Sequence, residues 1–486
     1  MFPSCSLSTI GLLARVGAIA VGVIALAAAC ASEAPTVPGA DREPAAALVS
    51  APAPAPTAAY ANTKLSELIE RAPNSVVAGE RLNVDLLRRF YARHGFAPVW
   101  TTRQSQADTL MKAVLRAGDH GLAPELFHAN LLQSPDALPT LERELLLSNA
   151  FLSYADALAR GVMPIERRRD DEVLTPEPID IARALDAALD NPDPGAAIEA
   201  LAPTTPTYRL LRKALQESRA GGPIGSKTTA PRVREIAVNL ERERWLPRRL
   251  PADRVWVNAA DARLVMYRDD RPVFSTRVIV GMDDRRNQSP EFQASIDAIW
   301  FNPPWTIPQD IANEEILPKA RQDPNYLAKH NMVMLPDGGV QQLAPNSALG
   351  QLLIDMKNRF DVYLHDTPGK DLFLRDNRRI SHGCIRVENP HKLTALLMRQ
   401  PIDAINQAIA TDGTVRRELP QPVPVFVVYE TAFADADGKL QFRADVYRRD
   451  AEIWQSLEPK GRAVAERKVP GDTTIVTPPL VSAQRR

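Results

Sequence analysis

The hydrophobic period changes once along this chain, and that change calls for two different kinds of fold in succession. Up to about residue 218, apolar residues recur at spacings of three and four, as in "LNVDLLRRFYARHG", "ADTLMKAVLRAGDHG", "LERELLLSNAFLSYADALARG" and "PIDIARALDAALD". That spacing lays one apolar stripe along an α-helix. From Val255 the period is two: "RVWVNAADARLVMYRDDRPVFSTRVIVG" reads as three strands joined by turns at "NAAD" and "RDDRP". "ASIDAIWFNPPWTIP" reads as another strand, closed by prolines. "DVYLHDT", "GCIRVENP" and "PVPVFVVYETAFADADGKLQFRADVY" return to strand character, the last with a hairpin turn at "DADG". The expected fold class is therefore α+β. A helical domain at 59–227 precedes a mostly β, sandwich-like domain at 232–457. Glycine-rich "RAGGPIGSK" separates them, and the helix of "PRVREIAVNLERERWLP" leads into the second. "QDIANEEILPKARQDPNYLAKHN" reads as short helices in an insertion within the β domain, and 458–486 reads as a flexible tail.

The first thirty residues carry one charge, Arg15, and an apolar run from Val16 to Ala29. That run is short for a membrane span and suits the apolar region of an export signal. "LAAAC" ends it like a lipoprotein site, with 1–29 as the signal and Cys30 as the lipidated residue. Ordinary cleavage after small residues and a retained anchor helix are the alternatives. Each of them carries the body of the chain across a membrane, and lipidation would leave it in the periplasm on an anchor. Residues 30–58 are Ala/Pro-rich without apolar periodicity and read as an extended tether. Formal net charge is +0, which argues against a nucleic-acid partner and against electrostatic docking to an anionic membrane.

Export makes the cysteine count informative. The chain has 3 cysteines, and only Cys384 lies in its body. Disulfides persist in exported compartments, but Cys384 has no partner for one once Cys30 carries lipid. A lone thiol there is either a small buried apolar residue or a nucleophile. "SHGC" (381–384) supplies a short turn in which Gly383 frees the backbone to aim N–H groups at an oxyanion. His365 ends "DVYLH", 19 residues upstream, and can return beside the sulfur from a strand of its own as its base. His382 sits two residues from the sulfur and can face it or brace the turn. His365, His382 and Cys384 together would also suit zinc, but no second cysteine, HExxH or carboxylate ligand motif accompanies them, so no metal or other cofactor is expected. His94, His120 and His128 lie in the helical part, and the "HG" pairs at 94–95 and 120–121 read as helix C-caps.

"YLHDTPGKDLF…RRISHGCIRVENP" resembles the active-site signature of the YkuD-type L,D-transpeptidases, and most of all their large periplasmic YcbB-like branch. "NLERERWLP", "WFNPPWTIPQDIANEEILPK", "NSALG" and "FYARHGFAPVW" extend the resemblance over most of 80–450. It implies a β-sandwich-like catalytic domain with a capping segment, here about 305–350. It implies Cys384 as nucleophile and His365 as the histidine that takes or orients its proton. His382 and Gly383 would shape the turn and oxyanion site, with Ser381 opening the motif, Tyr363 lining its entrance and Arg386 near substrate. The implied reaction is crosslinking of peptidoglycan tetrapeptide stems, alongside other cell-wall synthesis proteins. Two departures stand out. Only "AGGPIGSKTTA" occupies the place where the branch carries a peptidoglycan-binding module, and "VQQLAPNSALG" replaces its usual Arg-Gln-x-Pro-Gly approach to the cap.

Overall fold

A computed structural model describes residues 57–70, 76–134, 138–219, 229–345, 347–411 and 413–459. The expected signal, Cys30, nearly all of the Ala/Pro tether, the glycine-rich join at 220–227 and the tail beyond 459 lie outside the described residues.

The N-terminal half is helical, as its period requires. Its spine is the helix Thr140–Arg160, buried at almost every position from Glu144 to Ala159. Val84–Arg93, Gln104–Leu115, Ile181–Leu189 and Pro206–Arg219 bring their apolar faces into the same core. Asn83 and Asp180 cap two of these helices, each accepting a backbone N–H three residues on. "FAPVW" is the connection expected, docked on the spine: Glu144 accepts the Val99 and Trp100 N–H groups at 2.6 and 3.2 Å. Gly95 and Gly121 both follow a histidine with positive φ, +58° and +73°, a conformation that glycine adopts without a Cβ penalty.

The helix Thr229–Glu243 joins the two halves, and the Ile236–Leu246 stretch is buried on every side. Its charged residues can be buried only because each finds a partner. On one face Glu241 accepts the Met163 N–H at 2.8 Å and Arg244 at 3.0 Å, within the helical domain. On the other, Asn239 exchanges hydrogen bonds with Thr431, and Arg242 reaches Asp450 at 2.7 Å, within the β domain. The helical period therefore sorts one charged segment between two domains.

The β domain is built on nine strands: β1 Arg254–Asn258, β2 Arg263–Arg268, β3 Arg271–Gly281, β4 Phe292–Phe301, β5 Leu352–Met356, β6 Leu364–His365, β7 Arg379–Ser381, β8 Ile385–Val387 and β9 Val415–Val428. Their order is β7-β3-β8-β6-β5-β4-β9-β1-β2, and β2 also pairs with β3. The walls of the expected sandwich are thus parts of one sheet that closes on itself. Closure leaves few free edges. Alternate residues face its core, among them Val255, Val257, Leu264, Met266, Ile354, Leu364, Ile385 and Val387. The sequence reading does not single out β5.

Between β4 and β5 the chain leaves the sheet to form the insertion. Strands Trp305–Ile307, Met332–Met334 and Val340–Gln342 form a small sheet of their own. Short helical turns pack on it around Ile307, Ala312, Ile316, Met332 and Val340.

Candidate active site

The short parallel pair β6–β8 builds the site. Leu364 pairs with Ile385 and His365 with Arg386, and the Ile385 N–H donates to the Tyr363 carbonyl at 3.1 Å. In a parallel pair, residues opposite one another share a face, and alternate residues along each strand do too. Leu364, Ile385 and Val387 face the core, so Tyr363, His365, Cys384 and Arg386 all take the other face. The register sets Tyr363 opposite Cys384 and His365 opposite Arg386. His365 and Cys384 become diagonal neighbours on that face.

The turn before β8 is held from several sides. Ser381 is buried, and its hydroxyl donates to the Cys384 carbonyl at 2.6 Å and accepts the Gly383 N–H at 3.3 Å. The Ser289 hydroxyl donates to the Gly383 carbonyl at 2.7 Å. Gly383 has φ +112°, outside the range open to most L-residues, although a Cβ there would meet only the Gln288 carbonyl oxygen, at 3.6 Å. The thiol of Cys384 is half-buried and donates weakly to the Asp361 carbonyl at 3.8 Å.

Burial decides the protonation of the pair. It raises the Cys384 thiol above its ordinary value, although the Tyr363 N–H and phenol and the charge of Arg386 favour the thiolate. Burial and, less strongly, the charge of Arg386 push His365 down to about 3, with the backbone and charge of Asp366 and the backbone of Leu349 only partly offsetting. The resting pair at neutral pH is accordingly thiol and neutral imidazole. Burial also raises the Tyr363 phenol, which lies against Cys384 and Trp305. Arg386 is half-buried, its pKa lowered by burial, and it has no ion-pair partner among the described residues. A cation placed so meets any anion that arrives or forms beside the sulfur.

His382 turns away from this group. Its Nε2 lies 2.9 Å from the Glu315 carboxylate in the insertion. Glu315 belongs to a wide π-helical turn, Ala312–Ile316, a geometry that collects at functional sites. The insertion is thereby tied to the turn that bears the cysteine. Among the described residues no cluster of three or more His, Cys, Asp or Glu side chains has metal-binding geometry. His94 pairs with Asp186 at 2.8 Å and His120 with the Tyr208 hydroxyl at 2.8 Å, both within the helical domain.

Three neighbours escape the sequence reading. Trp305 reaches Tyr363, Glu315 reaches His382, and Asp366 supports His365 from the next position. The Asp366 carboxylate accepts the Gln351 N–H at 2.9 Å and pairs with Lys370. It fits only because Gly350, φ +65°, has no Cβ: one there would sit 2.5 Å from that carboxylate. The glycine of "NSALG" is the signal that could have pointed to it.

Family models match the chain twice: a scaffold domain at residues 85–215 and an L,D-transpeptidase catalytic domain of the YkuD type at 252–403. The chain carries the YkuD-type catalytic domain of the L,D-transpeptidases behind a scaffold domain. A Haemophilus influenzae protein provisionally named an L,D-transpeptidase is 28% identical over 398 residues, 76% of this chain and 78% of that one. Solved structures with some similarity include an L,D-transpeptidase from Mycobacterium smegmatis, at 12% identity and TM-score 0.20 over 36% of this chain. The chain spans 58% of that structure's length. Another is the L,D-transpeptidase of Xylanimonas cellulosilytica, at 14% identity and TM-score 0.19 over 47% of this chain and 81% of that one. The L,D-transpeptidase domain contains Tyr363, His365, Cys384 and Arg386, and the scaffold domain contains the Thr140–Arg160 spine.

Proposed function

We propose that this L,D-transpeptidase joins peptidoglycan stems through 3→3 crosslinks, with Cys384 as nucleophile and His365 as base. The Cys384 sulfur attacks the amide carbonyl between the third-position diamino acid and the terminal D-Ala of a tetrapeptide stem, and the thiol proton passes to His365. The oxyanion collapses, the amide C–N bond breaks, and D-Ala leaves with the proton from His365. The acyl group is left as a thioester. A side-chain amine of a second stem then attacks the thioester, gives its proton to His365 and restores the Cys384 thiol. Arg386 offers its charge to a substrate carboxylate or to the developing oxyanion. Gly383 shapes the turn, Ser381 holds it, Tyr363 lines the entrance, and the insertion tied through His382 keeps water from the thioester.

The observation that carries this reading is the shared face of Tyr363, His365, Cys384 and Arg386 on two paired strands. Incubation with disaccharide-tetrapeptide should give a crosslinked dimer by mass spectrometry, absent in Cys384→Ala and slowed about 10²–10⁴-fold in His365→Ala. Absence of both acyl-enzyme and dimer with the thiol free would sink the proposal. Water, a free D-amino acid or a lipoprotein lysine could accept the same thioester, and competition among acceptors in that assay ranks them. We further propose a periplasmic location with a lipid anchor on Cys30, which predicts release from the membrane fraction in Cys30→Ser.

A further inference from the structure

A large cavity lies on the outside of the closed sheet, away from the cysteine. Its volume is about 990 Å³, at the upper end for a small-ligand pocket and more than a single small ring needs. The outward faces of β1 and β2 form its floor, since Val255, Val257, Leu264 and Met266 point inward and Trp256 and Tyr267 point out. The scaffold side supplies Thr205 and Glu243, and the hairpin turning at 435–438 supplies Phe433.

The polar chemistry of this cavity is unusual. Glu243 and Glu430 are 2% and 5% exposed, and their carboxyls are hydrogen-bonded to one another. Thr205 donates to Glu243, and the Trp256 indole N–H lies 3.4 Å from Glu430. Burial raises both acids, so the pair keeps a proton at neutral pH and presents donor and acceptor atoms with reduced charge. Of the five arginines lining the cavity, Arg443 meets Asp261 at 2.6 Å and Arg254 meets Asp270 at 2.7 Å, and Asp435 and Asp437 line it as well, so the fixed charges there come close to balance. The Nε of Arg254, a residue only 7% exposed, has no hydrogen-bond partner.

These features select a ligand class. A phosphate-dense ligand calls for uncompensated cations, and a lipid calls for apolar walls. Aromatic faces beside a dense, nearly neutral set of hydrogen-bonding groups suit a saccharide, whose ring C–H faces lie on aromatics while its hydroxyl and acetamido groups bond at the edges. We propose that this cavity binds a segment of the amino-sugar strand of peptidoglycan. The proposal rests on the wall-directed function argued above and adds a docking site remote from the reaction. Ser275 of β3 lines the cavity, while Gly281, six residues on, adjoins the nucleophile turn through the Met282 N–H to Ser381 carbonyl bond. At ~3.3 Å per residue the separation is about 20 Å, which a polymer spans and a lone stem does not.

The test uses the full chain with Cys384→Ala, so that nothing turns over, and a peptide-free N-acetylglucosamine tetramer as probe. Calorimetric titration should show saturable binding, and tryptophan emission should shift with it. Trp256→Ala should weaken binding at least tenfold. Glu430→Gln, which exchanges one uncharged group for another and should keep the fold, should weaken it as well. No saturable binding up to millimolar probe, or equal affinity in folded Trp256→Ala and Glu430→Gln, overturns the proposal. With Cys384 intact, Trp256→Ala should crosslink soluble disaccharide-tetrapeptide at the wild-type rate but lose activity on intact sacculi. Equal losses on both substrates also overturn it. Sugar binding without crosslinking would instead defeat the reaction proposed above and leave this site standing.

Discussion

The neutral resting pair makes a prediction that separates this site from a preformed thiolate–imidazolium. An ordinary thiol of pKa ~8.5 is about 3% thiolate at pH 7, and burial leaves Cys384 with less. His365, pushed down to about 3, stays neutral across the working range and supplies no stabilising positive charge. Alkylation by iodoacetamide needs the thiolate, so log rate against pH should rise with a slope near one from pH 6 to 9, without a neutral plateau. Acylation by a peptide or carbapenem-type acylating agent should behave differently. There the neutral imidazole takes the proton during attack, and its free-base fraction is constant above pH ~5, given a pKa near 3. That rate should be nearly flat from pH 5 to 8. His365→Ala should remove the flat component, about 10²–10⁴-fold, and leave the alkylation slope in place. Stopped-flow or intact-mass time courses measure both. Alkylation that is independent of pH between 5 and 8 would refute the reasoning, because it would mean that a thiolate is already present.

Further tests follow from buried charge and from close approach. Arg449 is 0% exposed and lies 2.8 Å from Glu291 with Glu172 and Asp171 alongside, and it donates to the Ser289 carbonyl behind the nucleophile turn. Arg449→Met leaves these acids uncompensated and should cost about 3–5 kcal/mol in chemical denaturation; a loss below ~1 kcal/mol would contradict the network. Gly350→Ala combines positive φ with a Cβ 2.5 Å from the Asp366 carboxylate. It should cost about 1–3 kcal/mol through overpacking and slow acylation by shifting the neighbour of His365, so an unchanged acylation rate would count against that support. Burial raises Glu243 from 4.5 to about 7, so the folded state binds the extra proton and the contribution of this group to stability falls as pH climbs through that window. Glu243→Gln has no such proton to lose, and the wild-type advantage over it should shrink from pH 5 to pH 7.5 in denaturant midpoints; a parallel pair of curves would argue against the shift.

What could be read from the sequence was whatever local spacing encodes. The helix positions, the turns at "NAAD", "RDDRP" and "DADG", and the short helices of the insertion follow from period and turn residues, and the structure has them. Pairing is another matter. β6 is two residues long and β8 three, too short for any periodicity, yet their parallel register is what sets His365 diagonal to Cys384. The β2–β3 pairing that helps close the sheet is local, but the parallel pairing of β9 with β1 joins residues about 170 apart and leaves no mark in either segment.

The Ile236–Leu246 stretch shows the same limit in energetic terms. "NLERERW" carries charge at the density of a solvated helix face, and nothing within the segment tells its residues to be buried. Their partners are Met163, His120 and Tyr208 on one side and Thr431, Asp450 and Glu430 on the other, up to 208 positions away. Burial of each charge is tolerated only when its partner is in place, so this segment folds stably only with both domains around it. That dependence has a consequence for the molecule as a whole. Cutting the chain between the two matched domains would strand Glu241 and Arg244 on one side or Arg242 and Glu243 on the other. Neither fragment should then reach the stability of the intact chain, and the catalytic domain and its scaffold act as one folding unit, with the proposed sugar cavity at their seam.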